Sequence, residues 1–526
     1  MKKSLTSIAL AFVVTPIIGS ASADWSTDAA SDNGICTASG EQAQPKIVPD
    51  GQGGCYISWF DNRSGGYDVY LQRMDAMGNA MWAADGILVA DRSYSSTQDY
   101  GLAADLQGRA ILAFRDPRFG GDRVTVAAVN ADGSMAFGAN GVQVSPSTES
   151  ANQPKVGVAS DGDIVVAWNG GAATSYVHRL NADGSLAWPA RIAIGGAGTQ
   201  IASDVKSGGS DGSTIVSVVH YTTFTGAKTL KAQKFAADGT ATWGAVTLPV
   251  FSTGSLQFGN FPGFVIDDAG GAIFAWYTSS PLQCQAQRLA ADGTRLWGTN
   301  GVTVTSTSTG VDRTAPDVVF DSATGRTFVT WDQGLPPPST SNGSAIQAFD
   351  AAGTRLWGAN GVAVYPMSSA TYDTFWTRVS LLDGQAVASA LSWSTATTST
   401  MGSLRFDATG HSEWGATPMP ICSASGSQSR PQALSVEGGV VWVWMDSRDG
   451  ETDIYAARQI ADGSLGPPDN GVQGDIDGDG SVSGSDLALL LSAWGLSGSA
   501  AGAADIDGSG LVDAGDLSIL LAAWTG

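Results

Sequence analysis

"PKIVPDGQGGCYISWFDNRSGGYDVYLQRMDAMGNAMWAADGILVAD", residues 45–91, holds the key to the architecture. Short runs of β-branched and aromatic residues alternate with Gly, Asp and Asn turns, which reads as strands joined by tight reversals. Four strands are predicted, around residues 46–48, 55–60, 68–74 and 81–89. The unit then recurs along the chain. Its closing turn, "DAMGNAMW" at Trp82, returns as "NADGSMAF" at Phe137, "NADGSLAW" at Trp188, "AADGTATW" at Trp243, "AADGTRLW" at Trp297, "DAAGTRLW" at Trp357 and "DATGHSEW" at Trp414, at spacings of 51 to 60 residues.

A second register runs through the end of the second strand: Trp59, Phe114, Trp168, His220, Trp276, Trp331, Trp393 and Trp444, 51 to 62 residues apart. Eight hits predict eight units. A four-stranded sheet cannot bury both faces alone, so such units stack around an axis. The expected fold is all-β, an eight-bladed β-propeller, with seven blades and a decorated terminus as the alternative. The last unit, residues 431–466, supplies three strands, while "WSTDAASDNGICTASGEQAQP" from Trp25 matches the blade end "WGATPMPICSASGSQSRP" from Trp414. The N-terminal strand is therefore expected to complete the eighth blade and close the ring.

Composition narrows the classes of function. Glycine is abundant (68 of 526 residues), charged residues make up 14%, and the net charge is −22. That charge repels phosphates, which excludes nucleic acid and disfavours anionic membranes. Lys2 and Lys3, the apolar "SIALAFVVTPIIG" and the small-residue site Ala21-Ser22-Ala23 read as an export signal cleaved after Ala23. The mature protein is then expected to be secreted or held at the cell surface, without a membrane span. Cys36, Cys55, Cys284 and Cys422 form no C-x-x-C pair, which disfavours a thiolate metal site; a Cys36–Cys55 bridge is left open.

The first and last units share "WFDNRSGGYDVY" and "WMDSRDGETDIY", with Trp59, Asp61, Arg63, Asp68 and Tyr70 matching Trp444, Asp446, Arg448, Asp453 and Tyr455. This pattern resembles repeats of secreted bacterial propellers, a likeness that speaks to architecture and not to activity. The D-G turns differ from the sialidase Asp-box because Gly directly follows Asp.

The tail is of another kind. "DIDGDGSVSGSD" places Asp475, Asp477, Asp479, Ser481, Ser483 and Asp486 at positions 1, 3, 5, 7, 9 and 12 of a twelve-residue calcium loop, with Gly480 at the sharp turn. "DIDGSGLVDAGD" repeats the frame with Asp505, Asp507, Ser509, Leu511, Asp513 and Asp516. Positions 7, Ser481 and Leu511, offer backbone carbonyls. Clustered carboxylates repel one another without a dication, so two bound calcium ions are expected and should be coupled to folding. Val482 and Val512, at position 8, are expected to pair across the loops. One apolar helix comes after each loop ("DLALLLSAWG", "DLSILLAAWTG") and no comparable helix precedes it.

Loop–helix units in duplicate, spaced thirty residues apart, resemble a type I dockerin domain over residues 474–526. The resemblance implies docking to a cohesin-like or other protein module. Positions 10 and 11, which help choose the partner in that family, are Gly484-Ser485 and Ala514-Gly515, and residues 471–526 contain no Lys or Arg. The chain thus divides into a signal peptide 1–23, a propeller 24–470 and a dockerin-like module 471–526.

Catalysis has little to work with. Only His178, His220 and His411 are present, and no G-x-S-x-G, H-E-x-x-H or P-loop motif occurs. Carboxylate chemistry of a glycosidase needs two acids at a suitable separation. Asp61, Asp68, Asp446 and Asp453 are candidates, but each recurs at a repeat position, suited to an ion pair with Arg63 or Arg448. No catalytic residue is assigned. Trp59, Trp168, Trp276, Trp331, Trp393 and Trp444 are possible ligand-binding residues, since flat aromatic faces hold sugar rings, although blade packing also uses such tryptophans. The reading is an exported, non-catalytic recognition or attachment protein whose propeller binds glycan or protein. The alternative is a dockerin-borne glycoside hydrolase or lyase.

Overall fold

The computed structural model describes residues 24–94, 100–171, 173–306, 310–370, 373–468, 473–477, 481–497, 502–507 and 509–525. The expected export signal, residues 1–23, lies outside these residues.

The chain builds eight four-stranded antiparallel sheets, the blades of a β-propeller. Blade 1 runs through Gln42–Pro49, Cys55–Asp61, Tyr67–Met74 and Ile87–Tyr94. Blades 2 to 8 open with Gly101–Ala104, Ala151–Val158, Thr199–Ser207, Phe264–Ile266, Asp312–Asp321, Asp373–Leu382 and Gln428–Val436. These first strands line a central channel. Second strands such as Cys55–Asp61 and Ile164–Gly170 are buried at every residue. Neighbouring blades cover both of their faces, so these strands are continuous apolar runs and not alternating ones.

The propeller core is divided into eight seams, each built from two consecutive blades. One seam joins the last blade to the first: Val441, Val443, Ile454 and Ala456 pack with Ile57, Trp59, Trp25 and Ile35. In the eighth sheet Asn33–Cys36 pairs antiparallel with Asp453–Ile460, with Asn33 opposite Ala456 and Cys36 opposite Ile454.

Two local expectations change. The fourth strand of blade 1 starts at Ile87, not at Met81. Residues 81–86 leave the sheet as a turn, and this frees Trp82 to reach the next blade, where its Nε1 donates to the Ala131 carbonyl at 3.2 Å. No Cys36–Cys55 bridge forms; all four cysteines are free and buried. Cys36 lies against Asp61 and Arg63, whereas Cys55 opens the strand that Asp61 ends, roughly 20 Å away at the usual rise per residue.

Candidate functional site

The tail's site begins with two helix caps. Helix α1 (Gly484–Ser492) has Ser483 as N-cap and helix α2 (Ala514–Ala522) has Asp513, each in a capping box with Asp486 or Asp516. Asp486 is buried and accepts from the backbone N–H of Ile476 (2.6 Å), Asp477 (3.0 Å) and Ser483 (2.8 Å). Asp516 does the same for Asp507 (3.0 Å) and Asp513 (2.8 Å). Burial opposes the charge on both, but these N–H donors outweigh it and hold both carboxyls below the usual range.

The folded-back loops bring three acids together in each half. One carboxylate oxygen each of Asp475, Asp477 and Asp486 lie within 4.8 Å of one another, and so do those of Asp505, Asp507 and Asp516. Asp505 Oδ1 is buried without a hydrogen-bond partner, the arrangement a cation would complete. Three converging carboxylates and an orphaned oxygen fit a hard, oxygen-seeking dication such as calcium. Asp479 lies outside the described residues. Ser509 Oγ donates to the Leu511 carbonyl at 3.2 Å, so two expected ligands already face each other. Ser483 and Asp513 accept from Ser485 N (3.3 Å) and Gly515 N (2.7 Å), as caps.

Val482 and Val512 are buried in one small core with Leu490, Ala504 and Leu520. Their backbones do not pair with each other. Val482 bonds to Thr525 in both directions (2.8 and 2.9 Å), and Val512 to Leu496 (3.0 Å) and Gly495 (2.9 Å), clasping each loop to the end of the other helix.

Residues 473–523 match the model of the dockerin type I domain. The tail is a dockerin. Its two halves repeat in exposure as well as in sequence: Leu491 and Leu521 are both 53% exposed, while Trp494 and Trp524 are 45% and 39% exposed. These side chains form apolar surface beside the loops of the dockerin.

No curated protein matches the sequence. Among solved structures, a eukaryotic initiation factor is 11% identical with a TM-score of 0.41, over 83% of this chain and 89% of its own. An ulvan lyase of a new polysaccharide lyase family is 9% identical with a TM-score of 0.42, over 72% of this chain and 95% of its own. A protein of unknown function from Dyadobacter fermentans DSM 18053 is 11% identical with a TM-score of 0.37, over 82% and 98%. Likenesses this distant carry no argument about activity.

In the propeller, three of the four acids suggested by sequence, Asp61, Asp446 and Asp68, are held by side-chain and backbone donors. Asp61 is fully buried and accepts from Arg63 Nη2 (2.6 Å), Arg63 Nε (2.9 Å) and Trp59 Nε1 (2.9 Å). Asp446 repeats this with Arg448 (2.7 Å) and Trp444 (2.9 Å), and Arg448 also reaches Asp32 at 2.7 Å. Asp68 accepts from Ser64 Oγ (2.5 Å) and Arg92 N (2.7 Å). Asp453 is pushed up to about 6 by burial and by the neighbouring Asp449 and Asp446. His220 bonds the Ala197 carbonyl at 2.8 Å and Thr229.

The tryptophans also stand elsewhere than a ligand role requires. Trp59, Trp168, Trp276, Trp331 and Trp444 have no exposed surface, and Trp393 is partly buried against the seam of blades 7 and 8. Packed blades close over the five fully buried indoles, which are therefore spent on neighbouring blades, while Trp393 keeps part of its surface.

What sequence reading passed over is the channel, about 970 Å³ in volume, lined among others by Lys46, Lys155, Lys206, Asp204, Asp317 and Arg378. One signal was available: "AQPK" and "NQPK" precede the first strands' midpoints in blades 1 and 3.

Proposed function

We propose that the chain is an exported, non-catalytic recognition or attachment protein, with a leader ending at Ala23, a propeller to residue 470 and a dockerin from 471. The dockerin fixes it to a cohesin-type module, and the propeller presents a surface for glycan or protein. The observation that carries this reading is the duplicated apolar surface, Leu491 with Trp494 and Leu521 with Trp524, set beside two carboxylate clusters. Exposed apolar patches of this kind mark docking surfaces.

Two calcium ions are proposed for the loops. Asp475, Asp477, Asp479, Ser481, Ser483 and Asp486 hold one, and Asp505, Asp507, Ser509, Leu511, Asp513 and Asp516 the other. Calcium supplies positive charge that lets the acids converge. The chain's own part is to set each loop against its helix through Asp486 and Asp516. The propeller acids support the non-catalytic reading, since Asp61 and Asp446 are closed inside ion pairs.

The test uses the full chain in two assays. Capture by a panel of cohesin modules with and without calcium measures docking. Incubation with polysaccharides, followed for binding and for new reducing ends, measures the propeller. Calcium-dependent capture together with binding and no products supports the reading; released products overturn its non-catalytic half.

A further inference from the structure

The first strands do more than line the channel. In five blades the strand is broken near its start by a bulge that carries a non-glycine residue at positive φ: Gln44, Gln153, Ala315, Trp376 and Arg430, all between +48° and +58°. Side chains disfavour that region, and its repetition at one structural position marks a built feature. A bulge re-aims the residues just beyond it. Two residues on stand Lys46, Lys155, Asp317, Arg378 and Gln432.

The charges at this level are sorted around the ring. Cations line blades 7, 1 and 3 as Arg378, Lys46 and Lys155, with Arg378 donating to the Pro431 and Thr377 carbonyls at 2.9 and 3.0 Å; Arg430 of blade 8 stands near enough to act on Lys46, and blade 2 places Gly101 between the two lysines. Acids line blades 4, 5 and 6 as Asp204, Asp268 and Asp317, blade 4 adds Lys206, and Asp204 also attracts Lys46 and Lys155. Asp204 lies 3.4 Å from Lys206 and accepts from Val205 N; Asp317 accepts from Val318 N and Val379 N at 3.0 and 3.1 Å. A cationic arc in a chain of net charge −22 stands out against its surroundings.

Aromatic rings stand at the same end. Gln42 pairs opposite Asp61 and Thr199 opposite Tyr221, so strand entries lie level with the loops after the second strands. There Phe224 and Phe258 are 66% and 64% exposed with centroids 5.5 Å apart, and Phe261 lines the channel. Exposed phenyl faces suit the C–H faces of sugars.

We propose that this mouth binds an acidic polysaccharide, its carboxylates or sulfate esters against Lys46, Lys155, Arg378 and Arg430 and a sugar face on Phe258 and Phe261. This names the ligand class for the recognition role proposed above and rests on it. Burial lowers both lysines, Lys46 to about 8 and Lys155 to about 7; Asp204 offsets part of this for each, while Lys46 and Lys155 repel one another, a repulsion that a bound anion relieves.

The experiment is calorimetry on the calcium-loaded full chain with polygalacturonate, a sulfated galactan, an unsubstituted galactan and inorganic sulfate. One acidic polymer should bind about tenfold or more tightly than unsubstituted galactan, and which one does so separates carboxylate from sulfate. The double variant Lys46→Gln with Lys155→Gln should lose about tenfold in affinity. Phe258→Ala and Arg430→Gln, both exposed, should each lose several-fold and serve where the double variant melts early. Unchanged affinity in these variants overturns the proposal, as does full competition by equimolar sulfate, which would make this an ion site only. Equal binding of unsubstituted galactan overturns the acidic assignment while keeping a glycan-binding propeller. No binding of any polymer overturns the assignment too, and cohesin capture, read separately, then tells whether attachment survives.

Discussion

Trp297 lies over Gly353 of the next blade, and its Nε1 donates to the Ala351 carbonyl at 3.0 Å. A Cβ on Gly353, whose φ is +81°, would stand 2.7 Å from the indole Cγ. The same device repeats around the ring. Trp25, Trp82, Trp188, Trp243, Trp357 and Trp414 donate to Ala76, Ala131, Ala237, Ala291, Ala408 and Ala461. Phe137 packs on Gly184 without a donor. The tryptophans that closed each sequence repeat are thus latches to the following blade.

This predicts an asymmetry in substitutions. Trp297→Phe should lose only the hydrogen bond and some contact, ~1 kcal/mol, because Phe137 already serves in that position. Gly353→Ala should be more damaging, since it adds a clash to a left-handed backbone where alanine is strained. Urea unfolding of both variants decides it, and equal small losses would sink the latch.

Asp61→Asn should destabilise by about 3 kcal/mol, the low end for breaking a buried pair because Arg63 reaches solvent. Polysaccharide affinity per folded molecule should stay as it was. A loss of affinity with unchanged melting would instead return Asp61 to a functional role.

Calcium removal should act on the tail alone. With chelator, the carboxylates of Asp475, Asp477 and Asp486 repel, as do those of Asp505, Asp507 and Asp516, and α1 and α2 should unravel. Circular dichroism should lose its small helical component while the propeller's near-ultraviolet tryptophan signal persists. Titrating calcium back should saturate at two ions per chain, and Asp505→Asn should leave one. Helices that survive chelation would falsify the coupling.

Deleting residues 24–36 should open the edge of Asp453–Ile460 and remove Trp25 and Ile35 from the seam between blades 8 and 1. An exposed strand edge recruits other chains. Size-exclusion chromatography should show oligomers and a lower melting temperature; a monomer of unchanged stability would mean that the N-terminal strand is dispensable for closure.

Acidic polysaccharide should bind more weakly as pH rises from about 6 to 9. Lysines whose values are lowered to about 8 and 7 are charged below that window and neutral above it, so Lys46 and Lys155 lose their attraction on the way up. Asp204, Lys206 and Arg430 also face them. Affinity measured across this range should fall in the native chain and flatten in the double variant Lys46→Gln with Lys155→Gln.

Whatever is local could be read from the residues alone. Turn chemistry at D-G, the aromatic that recurs after it and the calcium frame act over a few residues, so eight units and two calcium loops were legible directly, and those loops carried the resemblance to a dockerin. Where neighbouring units meet is a matter of folding in three dimensions. Met81 was expected in a strand because its composition fits one, yet the reach of Trp82 to Ala131 pulls that stretch out of the sheet. Trp59 and Trp444 carry the residue type of a sugar platform, but adjacent blades cover both ring faces. Lys46 and Lys155 lie 109 positions apart and became one site only because a ring brings every first strand to the same axis. Periodicity along a chain reports hydrogen bonding and burial of one unit; it holds no record of which side chains converge once the units close in a circle.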